Sequence, residues 1–511
     1  MGLNLADCVE LPARQYPDRP ALVLDPVRLT FAQLREQVRR VSGYLKRCGL
    51  EPGDRVVLLL PNVPQFPVAY YGILHAGGIA VPVNPFQTPR ELAYLFADCA
   101  TRHIIVWEDM ADAARAARAE AVPAARIAIV RQGAATDADE QEDDFGREVA
   151  LSHPAAHMAE TNPDDVAVIA YTGAYAGRPM GAELTHFNLF QNAQIVATRM
   201  LHYTPEDRCL VALPLFHSFG QCVMMNTALL SGACMVLMPR FDATKVLEAI
   251  PAERITIVGF VPTMYQFLLA AKCDPPPDLS SLRIALAGGS TIAVDTLDAF
   301  KARFGHIILE GYGLTETSPV VSFNRTEATN RPGSVGLPIW GCEIRIVDSE
   351  GNSLPAGETG EVIVRGHNVM KGYLNQPETT ARTIREGWLH TGDWGALDED
   401  GYLFLKGLKK DMLIRAGLNV YPREIELVLE EHPRVQEAAV VGVPDRVRGE
   451  EPRAFVVPRE ATADMEKDLK AWCRERLAGY KCPRAFAICP ALPRLPDGRI
   501  DKATLRENGA L

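Results

Sequence analysis

The chain has 511 residues, is 47% hydrophobic and 23% charged, and carries a net charge of −11. This is the make-up of a folded chain of about three domain-sized units, not of a disordered one. The negative balance argues against a nucleic-acid partner, and 11 scattered cysteines without a Cys-x-x-Cys pair argue for a reducing compartment and against structural zinc.

In chain order, Met1 to Glu10 carry Asp7 and Glu10 and no apolar run, which reads as a cytoplasmic start and not as a signal peptide. Thr30 and Gln33 form a capping-box pair at the head of Phe31, Leu34, Val38, Val41 and Leu45, with Gly49 as the stop. Val56–Leu60 predicts a buried strand, Phe66 to His75 a helix closed by Gly77 and Gly78, and Ile79–Val83 a second strand. Such alternation predicts a mostly parallel α/β sheet. Residues 110–160 are alanine-rich, then acidic from Asp137 to Asp144, and read as an exposed surface segment. Val166–Tyr171 predicts a strand, followed by a Gly-containing loop and a helix from His186 to Met200.

The charge-free stretch from Cys209 to Pro239 is broken by Pro214, His217, Asn226 and Gly232. It reads as core strands and a helix, not as a membrane span. From Cys342 to Leu405, short alternating runs between Gly and Asp turns predict a β-rich subdomain. Beyond Lys410, helices at Arg423–Glu431 and Met465–Leu477 alternate with strands at Ala438–Val443, Arg453–Pro458 and Arg484–Ile488. That predicts a small α+β unit.

Two passages carry the chemistry. One is Glu310-Gly-Tyr-Gly-Leu-Thr-Glu-Thr-Ser318. The other runs from Leu389-His-Thr-Gly-Asp393 through Asp398-Glu-Asp-Gly-Tyr402 and Lys410-Asp-Met-Leu-Ile414 to Tyr421-Pro-Arg-Glu-Ile-Glu426. Together they resemble the adenylate-forming superfamily, and within it the acyl-CoA synthetases, from about Leu29 to about Leu505. The resemblance implies an α/β multidomain fold. An N-terminal body, 1–409, would hold two α/β subdomains and a β-barrel at about 342–405; a mobile α+β lid, 410–511, would hinge near Lys410. It also implies a two-step reaction. A carboxylate attacks the α-phosphate of ATP to give an acyl-adenylate and pyrophosphate; the thiol of CoA then displaces AMP. The substrates would be ATP, CoA and a small carboxylic acid, fatty or aromatic, with magnesium as the cofactor and no membrane span.

The resemblance assigns roles residue by residue. Thr315 and Glu316 match the nucleotide and magnesium site; one carboxylate suits magnesium, which keeps water and phosphate oxygens as its other ligands. Tyr312 and Gly313 belong to the same nucleotide motif. Asp393 matches the carboxylate that accepts both ribose hydroxyls, a role that suits a buried acceptor. Gly288, Gly289 and Ser290 match a loop beside adenine and acyl group. His217, in Pro214-Leu-Phe-His217, and Phe219 match the acyl pocket. Lys410 matches the hinge, and Gly417 the glycine that lets the thiol arm pass. Lys409, Lys410, Arg415 and Arg423 crowd the hinge and read equally as a CoA-facing patch or as a solvated junction.

Three departures stand against these matches. The family's phosphate loop usually reads Thr-Ser-Gly-Thr-Thr-Gly-x-Pro-Lys-Gly; here it is Thr172-Gly-Ala-Tyr-Ala-Gly-Arg-Pro-Met-Gly181. Thr172, Gly177, Pro179 and Gly181 keep the frame, but the hydroxyl donors give way to Gly173, Tyr175 and Ala176, the loop glycine to Ala174 and the lysine to Met180. Such loops hold phosphate through backbone N–H groups, hydroxyls and a cation. Leu408 replaces the family's arginine, and Arg499 stands at the catalytic-lysine position, with Lys502 the nearby stand-in. Arginine is not a spare lysine in a slot shaped for an ammonium. At roughly 1.5–3 kcal/mol per hydrogen bond to a charged group, the losses at 180 and 408 total about 3–6 kcal/mol. That is roughly a hundred- to ten-thousandfold in rate. Three functions follow: a carboxylate–CoA ligase with weakened adenylation, a binder of acyl group, AMP or CoA that makes no adenylate, or a transferase working from a preformed acyl-adenylate.

Overall fold

A computed structural model describes all residues except Met1, 133–141, 174–177, Asp274, 409–411, Arg446, 460–463, 495–499 and 510–511. The chain forms two α/β sheets, a smaller antiparallel sheet and a C-terminal α+β unit, the fold class expected. Local sequence explains several elements directly. Thr30 Oγ1 accepts the Gln33 N–H at 3.3 Å, and Gln33 Oε1 accepts the Thr30 N–H at 2.9 Å, so the capping box starts the helix Phe31–Arg47. Gly77, at φ 92°, closes the helix Gln65–Ala76.

Among the described residues the first sheet has nine strands. Its centre is parallel: Ile308–Gly313, Ile284–Ala287, Ile257–Phe260, Arg208–Val211, Cys234–Leu237 and Pro20–Leu24 lie in that order. The second sheet, of eight strands among the described residues, centres on Ile79–Pro82, Arg55–Leu59, His103–Trp107 and Arg126–Val130, again parallel. Strands such as Ile257–Phe260 and His103–Trp107 are buried along their whole length. That is why they read as unbroken apolar runs: helices cover both faces of a parallel sheet. The β-rich segment is an antiparallel sheet of Cys342–Val347, Gly360–Gly366, Trp388–Leu397 and Ile384–Arg385, with Leu403–Leu408 beside the third. There Cys342–Val347 alternates buried and exposed residues, the mark of a sheet with one wet face.

The chain separates into two compact units. The first holds Met1–Pro85, Phe96–Tyr171 and Gly181–Gly407; the second holds Phe86–Leu95, Thr172–Met180 and Leu408–Leu511. In the second, the paired strands Val435–Asp445 and Gly449–Pro458 pack against the helices Pro422–Glu430 and Met465–Arg476 around Val440, Val456, Ile425 and Leu469. The Lys481 ammonium, 4% exposed, lies 2.6 Å from Glu424 Oε1 and 2.7 Å from Glu91 Oε1. Burial works to strip its proton, but the two carboxylates outweigh it and hold the group charged.

Three expectations need correction. The alanine-rich part of 110–160 is not an exposed segment: Ala114 and Ala117 of the helix Ala111–Ala121 are buried, and so is most of Arg126–Val130. Alanine here is a small residue for close packing, and composition alone did not reveal it. Most of the acidic run lies outside the described residues, but Glu142–Asp144 form an edge strand tied to Arg115 and Arg126. The helix expected over His186 to Met200 is α-helical only to Ile195, then widens to a π-helix over Val196–Met200. A second π-helix, Phe219–Asn226, lies inside the apolar stretch, where Thr227 Oγ1–H donates to the Cys222 C=O at 2.9 Å. Among the described residues no helix is long and apolar enough to cross a membrane.

Candidate active site

Ligands of open parallel sheets bind beyond the carboxyl ends of the strands. In the nine-stranded sheet, His217 and Phe219 follow Arg208–Val211, Gly288–Ser290 follow Ile284–Ala287, and Tyr312 and Gly313 end Ile308–Gly313. The parallel order places all of these at the same end of the sheet.

Tyr312 and Asp393 reach each other through two irregularities. The pairing of Ile308–Gly313 with Val320–Phe323 slips between Tyr312 and Gly313. In the antiparallel sheet Ile363 pairs with His390 while Glu361 pairs with Trp394, so Thr391–Asp393 bulge outward, with Gly392 at φ 74°. Bulges bend a strand and re-aim its side chains. The result is a Tyr312 O–H that donates to Asp393 Oδ2 at 2.7 Å, across two sheets. Thr391 Oγ1 accepts the Asp393 N–H at 3.0 Å and donates to the Val362 C=O at 2.7 Å, which pins the bulge. Tyr312 is packed among Val321, Ile344, Val362 and Leu403. Burial first, then the Asp393 charge, pushes its phenol well above the usual range, so it remains a donor.

Glu316 lies in the 3₁₀ turn Thr315–Thr317 and is 4% exposed. Tyr373 O–H donates to Glu316 Oε1 at 2.8 Å, and the Met370 N–H donates to the Glu316 C=O at 2.9 Å. Tyr373 belongs to the eight-stranded sheet. Two tyrosine–carboxylate bonds therefore mark a junction of three sheets. Thr315 is half-buried beside Glu316.

The His217 ring Nδ1 accepts the Phe219 N–H at 3.2 Å, which leaves the ring proton on Nε2. Burial pushes this imidazole down to about 4, so it is neutral at pH 7. The Phe219 ring reaches within 3.0 Å of where a Cβ on Gly288 would lie. Glycine at 288 is thus a matter of close approach. Gly289 and Ser290 continue that loop, the former exposed.

The remaining candidates belong to the second unit. Thr172 ends the strand Val166–Thr172, and Met180 begins Met180–Thr185. A Cβ on Gly173 would fall 1.4 Å from the Tyr421 ring, so the family's serine does not fit here unless the ring moves. The Arg178 guanidinium stands 5.7 Å from the Tyr94 ring centroid, engaged with that face. Lys502 Nζ donates to Glu426 Oε1. Arg415 is bound by Glu451 and Arg423 by Glu430. Gly417, at φ 84°, follows Ala416, at φ 51°, in the hairpin turn between Leu413–Arg415 and Leu418–Val420. Gly177, Lys410 and Arg499 lie outside the described residues.

Two residues escaped the sequence reading. Tyr373 follows Met370-Lys-Gly and shows no periodic signal. Glu310 had one: a carboxylate directly after the apolar run Ile307-Ile308-Leu309. It is 4% exposed, and burial pushes its carboxyl up to about 7.

Comparison with known proteins identifies the family of the chain. The family profile described as "AMP-binding enzyme" matches residues 9–374, and that described as "AMP-binding enzyme C-terminal domain" matches 424–499. A long-chain-fatty-acid–CoA ligase of Bacillus subtilis is 35% identical, over 97% of this chain and 92% of its own. A feruloyl-CoA synthase of Amycolatopsis is 37% identical, over 97% and 96%. The solved o-succinylbenzoate CoA synthetase of Bacillus subtilis, bound to a product analogue, superposes with a TM-score of 0.88 at 29% identity, over 98% of both chains.

Proposed function

Since this chain belongs to the AMP-binding enzyme family, among the acid–CoA ligases, we propose that it joins a fatty or aromatic carboxylic acid to CoA through an acyl-adenylate, with a slowed first step. The observation that carries this reading is the pair of buried carboxylates, Asp393 and Glu316, each held by a tyrosine hydroxyl at a three-sheet junction. Asp393 is an acceptor for ribose hydroxyls, already oriented by Tyr312. His217 and Phe219 face the acyl group; a neutral imidazole and an aromatic ring give the acid an apolar wall. The acid's carboxylate oxygen attacks the α-phosphorus of ATP and pyrophosphate leaves. The CoA thiol then attacks the acyl carbonyl, loses its proton, and AMP leaves.

Magnesium fits the donor set in one way only. Among the described residues no group of three or more His, Cys, Asp or Glu is placed to cage a metal. Glu316 would supply one hard oxygen while phosphates and water complete the shell. The ion would neutralise phosphate charge.

The slowed step follows from Met180, Leu408 and Arg499. These same residues favour a second reading, a protein that binds acyl group, AMP or CoA without adenylation. The deciding experiment measures acid-dependent pyrophosphate release with a panel of fatty and aromatic acids, alongside thermal shift with MgATP and with acyl-CoA. Slow but acid-dependent release supports the ligase. No release with any acid, no shift with MgATP and a shift with acyl-CoA overturn it in favour of the binder.

A further inference from the structure

Two buried asparagines that the reaction above does not use converge on one carbonyl. Asn192, from the helix His186–Ile195, donates through Nδ2 to the Val320 C=O at 3.0 Å, and its Oδ1 accepts the Val320 N–H at 3.4 Å. Asn368, just after the strand Gly360–Gly366, donates through Nδ2 to the same carbonyl at 2.9 Å. Both residues are fully buried. Each amide is oriented by what its Oδ1 accepts: the Val320 N–H and the Cys222 thiol for Asn192, and the Cys342 thiol, at 3.0 Å, for Asn368.

Val320 opens the strand Val320–Phe323, directly after the turn that carries Thr315 and Glu316. That turn is knit together internally. The Thr317 hydroxyl donates to the Pro319 C=O at 2.6 Å and accepts the Leu314 N–H at 2.9 Å, and the Leu314 N–H also reaches the Pro319 C=O at 3.1 Å. The turn therefore moves as one piece with Val320. It is held against a conformational cost: Ser318 takes φ 66°, in the left-handed region, and its buried hydroxyl has no partner among the described residues. The holding groups come from outside the turn. Asn192 pairs with both backbone groups of Val320. The 368–370 segment supplies Asn368 to the Val320 C=O and the Met370 N–H to the Glu316 C=O at 2.9 Å.

We propose that Asn192 and Asn368 are positioning residues for the nucleotide site: by holding Val320 they set the turn that presents the Glu316 carboxylate to magnesium and the phosphates. This rests on the proposed role of Glu316. The two asparagines act through the backbone of the turn and not on the ligand. A carbonyl oxygen has two lone pairs, and here two amides share them. Losing one amide leaves the other in place. Losing both takes two donors from one buried carbonyl, which is the costly case. The two positions are therefore coupled.

Asn192→Leu and Asn368→Leu keep the side-chain shape and remove the amide. In hydrogen exchange of the ligand-free protein, peptides covering 313–321 should exchange about tenfold faster in Asn192→Leu, which loses two bonds to Val320, and about threefold faster in Asn368→Leu. The double variant should exceed their product of about thirtyfold and reach about a hundredfold. Peptides covering the strands Arg55–Leu59 and His103–Trp107, in the other parallel sheet, should not change. In thermal shift, the magnesium concentration that gives half of the stabilisation by MgATP should rise about tenfold in the double variant, while stabilisation by ATP with EDTA stays at the wild-type value. A purely structural loss would lower both. Unaltered exchange at 313–321, a double variant at the simple product, or equal acceleration everywhere overturns the shared hold on Val320. Faster exchange at 313–321 with an unmoved magnesium requirement overturns the positioning role. A wild type with no magnesium-dependent shift overturns the reading of Glu316 and this role with it, and leaves exchange to judge the hold alone. If the double variant fails to fold, the single variants carry both measurements, with faster exchange at 313–321 and a raised magnesium requirement expected in each.

Discussion

Asp393 and Glu316 on one side keep the residues of the family's motifs, whereas positions 180, 408 and 499 on the other depart from them. The two carboxylates are buried, each bonded to a tyrosine from another sheet. Removing either would strand a buried donor, a cost of about 1–3 kcal/mol to the fold itself. Met180, by contrast, opens a strand after the phosphate loop, and positions 408 and 499 lie at the start and near the end of the C-terminal segment. The carboxylate side is thus held by packing and hydrogen bonds of the fold itself.

The sharpest way to break this contrast is to restore the cations. Combined Met180→Lys, Leu408→Arg and Arg499→Lys should raise acid-dependent pyrophosphate release by roughly a hundred- to ten-thousandfold, from two recovered charged contacts. A wild type that is already fast, and unchanged by the triple substitution, would show that other groups carry the phosphates.

Glu310 gives the next effect. Burial pushes its carboxyl in the folded chain up to about 7 from an ordinary 4.5, so the native state binds the extra proton between those values. Stability from this group therefore falls as pH rises through 4.5 to 7 and is flat above, by about 3 kcal/mol. Glu310→Gln should flatten that slope in urea melts across the window. An unchanged slope would mean the carboxyl is not strained by burial.

The tyrosines test how far the carboxylates are pre-set. Tyr312→Phe and Tyr373→Phe each remove one hydrogen bond to a carboxylate, worth roughly 1.5–3 kcal/mol. Pyrophosphate release should drop about ten- to a hundredfold in each, with the apparent KM for ATP raised and that for the acid unmoved. Equal losses in both parameters would assign the tyrosines to folding.

The smallest effect belongs to the turn before Gly417. Ala416 holds φ 51°, a left-handed conformation that costs a non-glycine residue roughly 1 kcal/mol. Ala416→Gly should stabilise the second unit by up to about 1 kcal/mol, read from its denaturant midpoint.

The sequence by itself determined the alternation of strands and helices, the capping box at Thr30, and the order of the motifs that carry Thr315, Glu316 and Asp393. Those are local facts: periodicity, turn chemistry and spacing along one chain. The widening of the helix beyond Ile195, the bulge at Thr391–Asp393 and the partners Tyr312, Tyr373 and Glu310 were decided only in the tertiary structure. Most of these depend on groups far apart in the sequence meeting, and no window of sequence holds both sides of such a meeting. The same reason explains Glu310, whose backbone donor Gly333 comes from a loop more than twenty residues away. A buried carboxyl in a strand is legible as an oddity; what it holds is not, until the sheets are assembled.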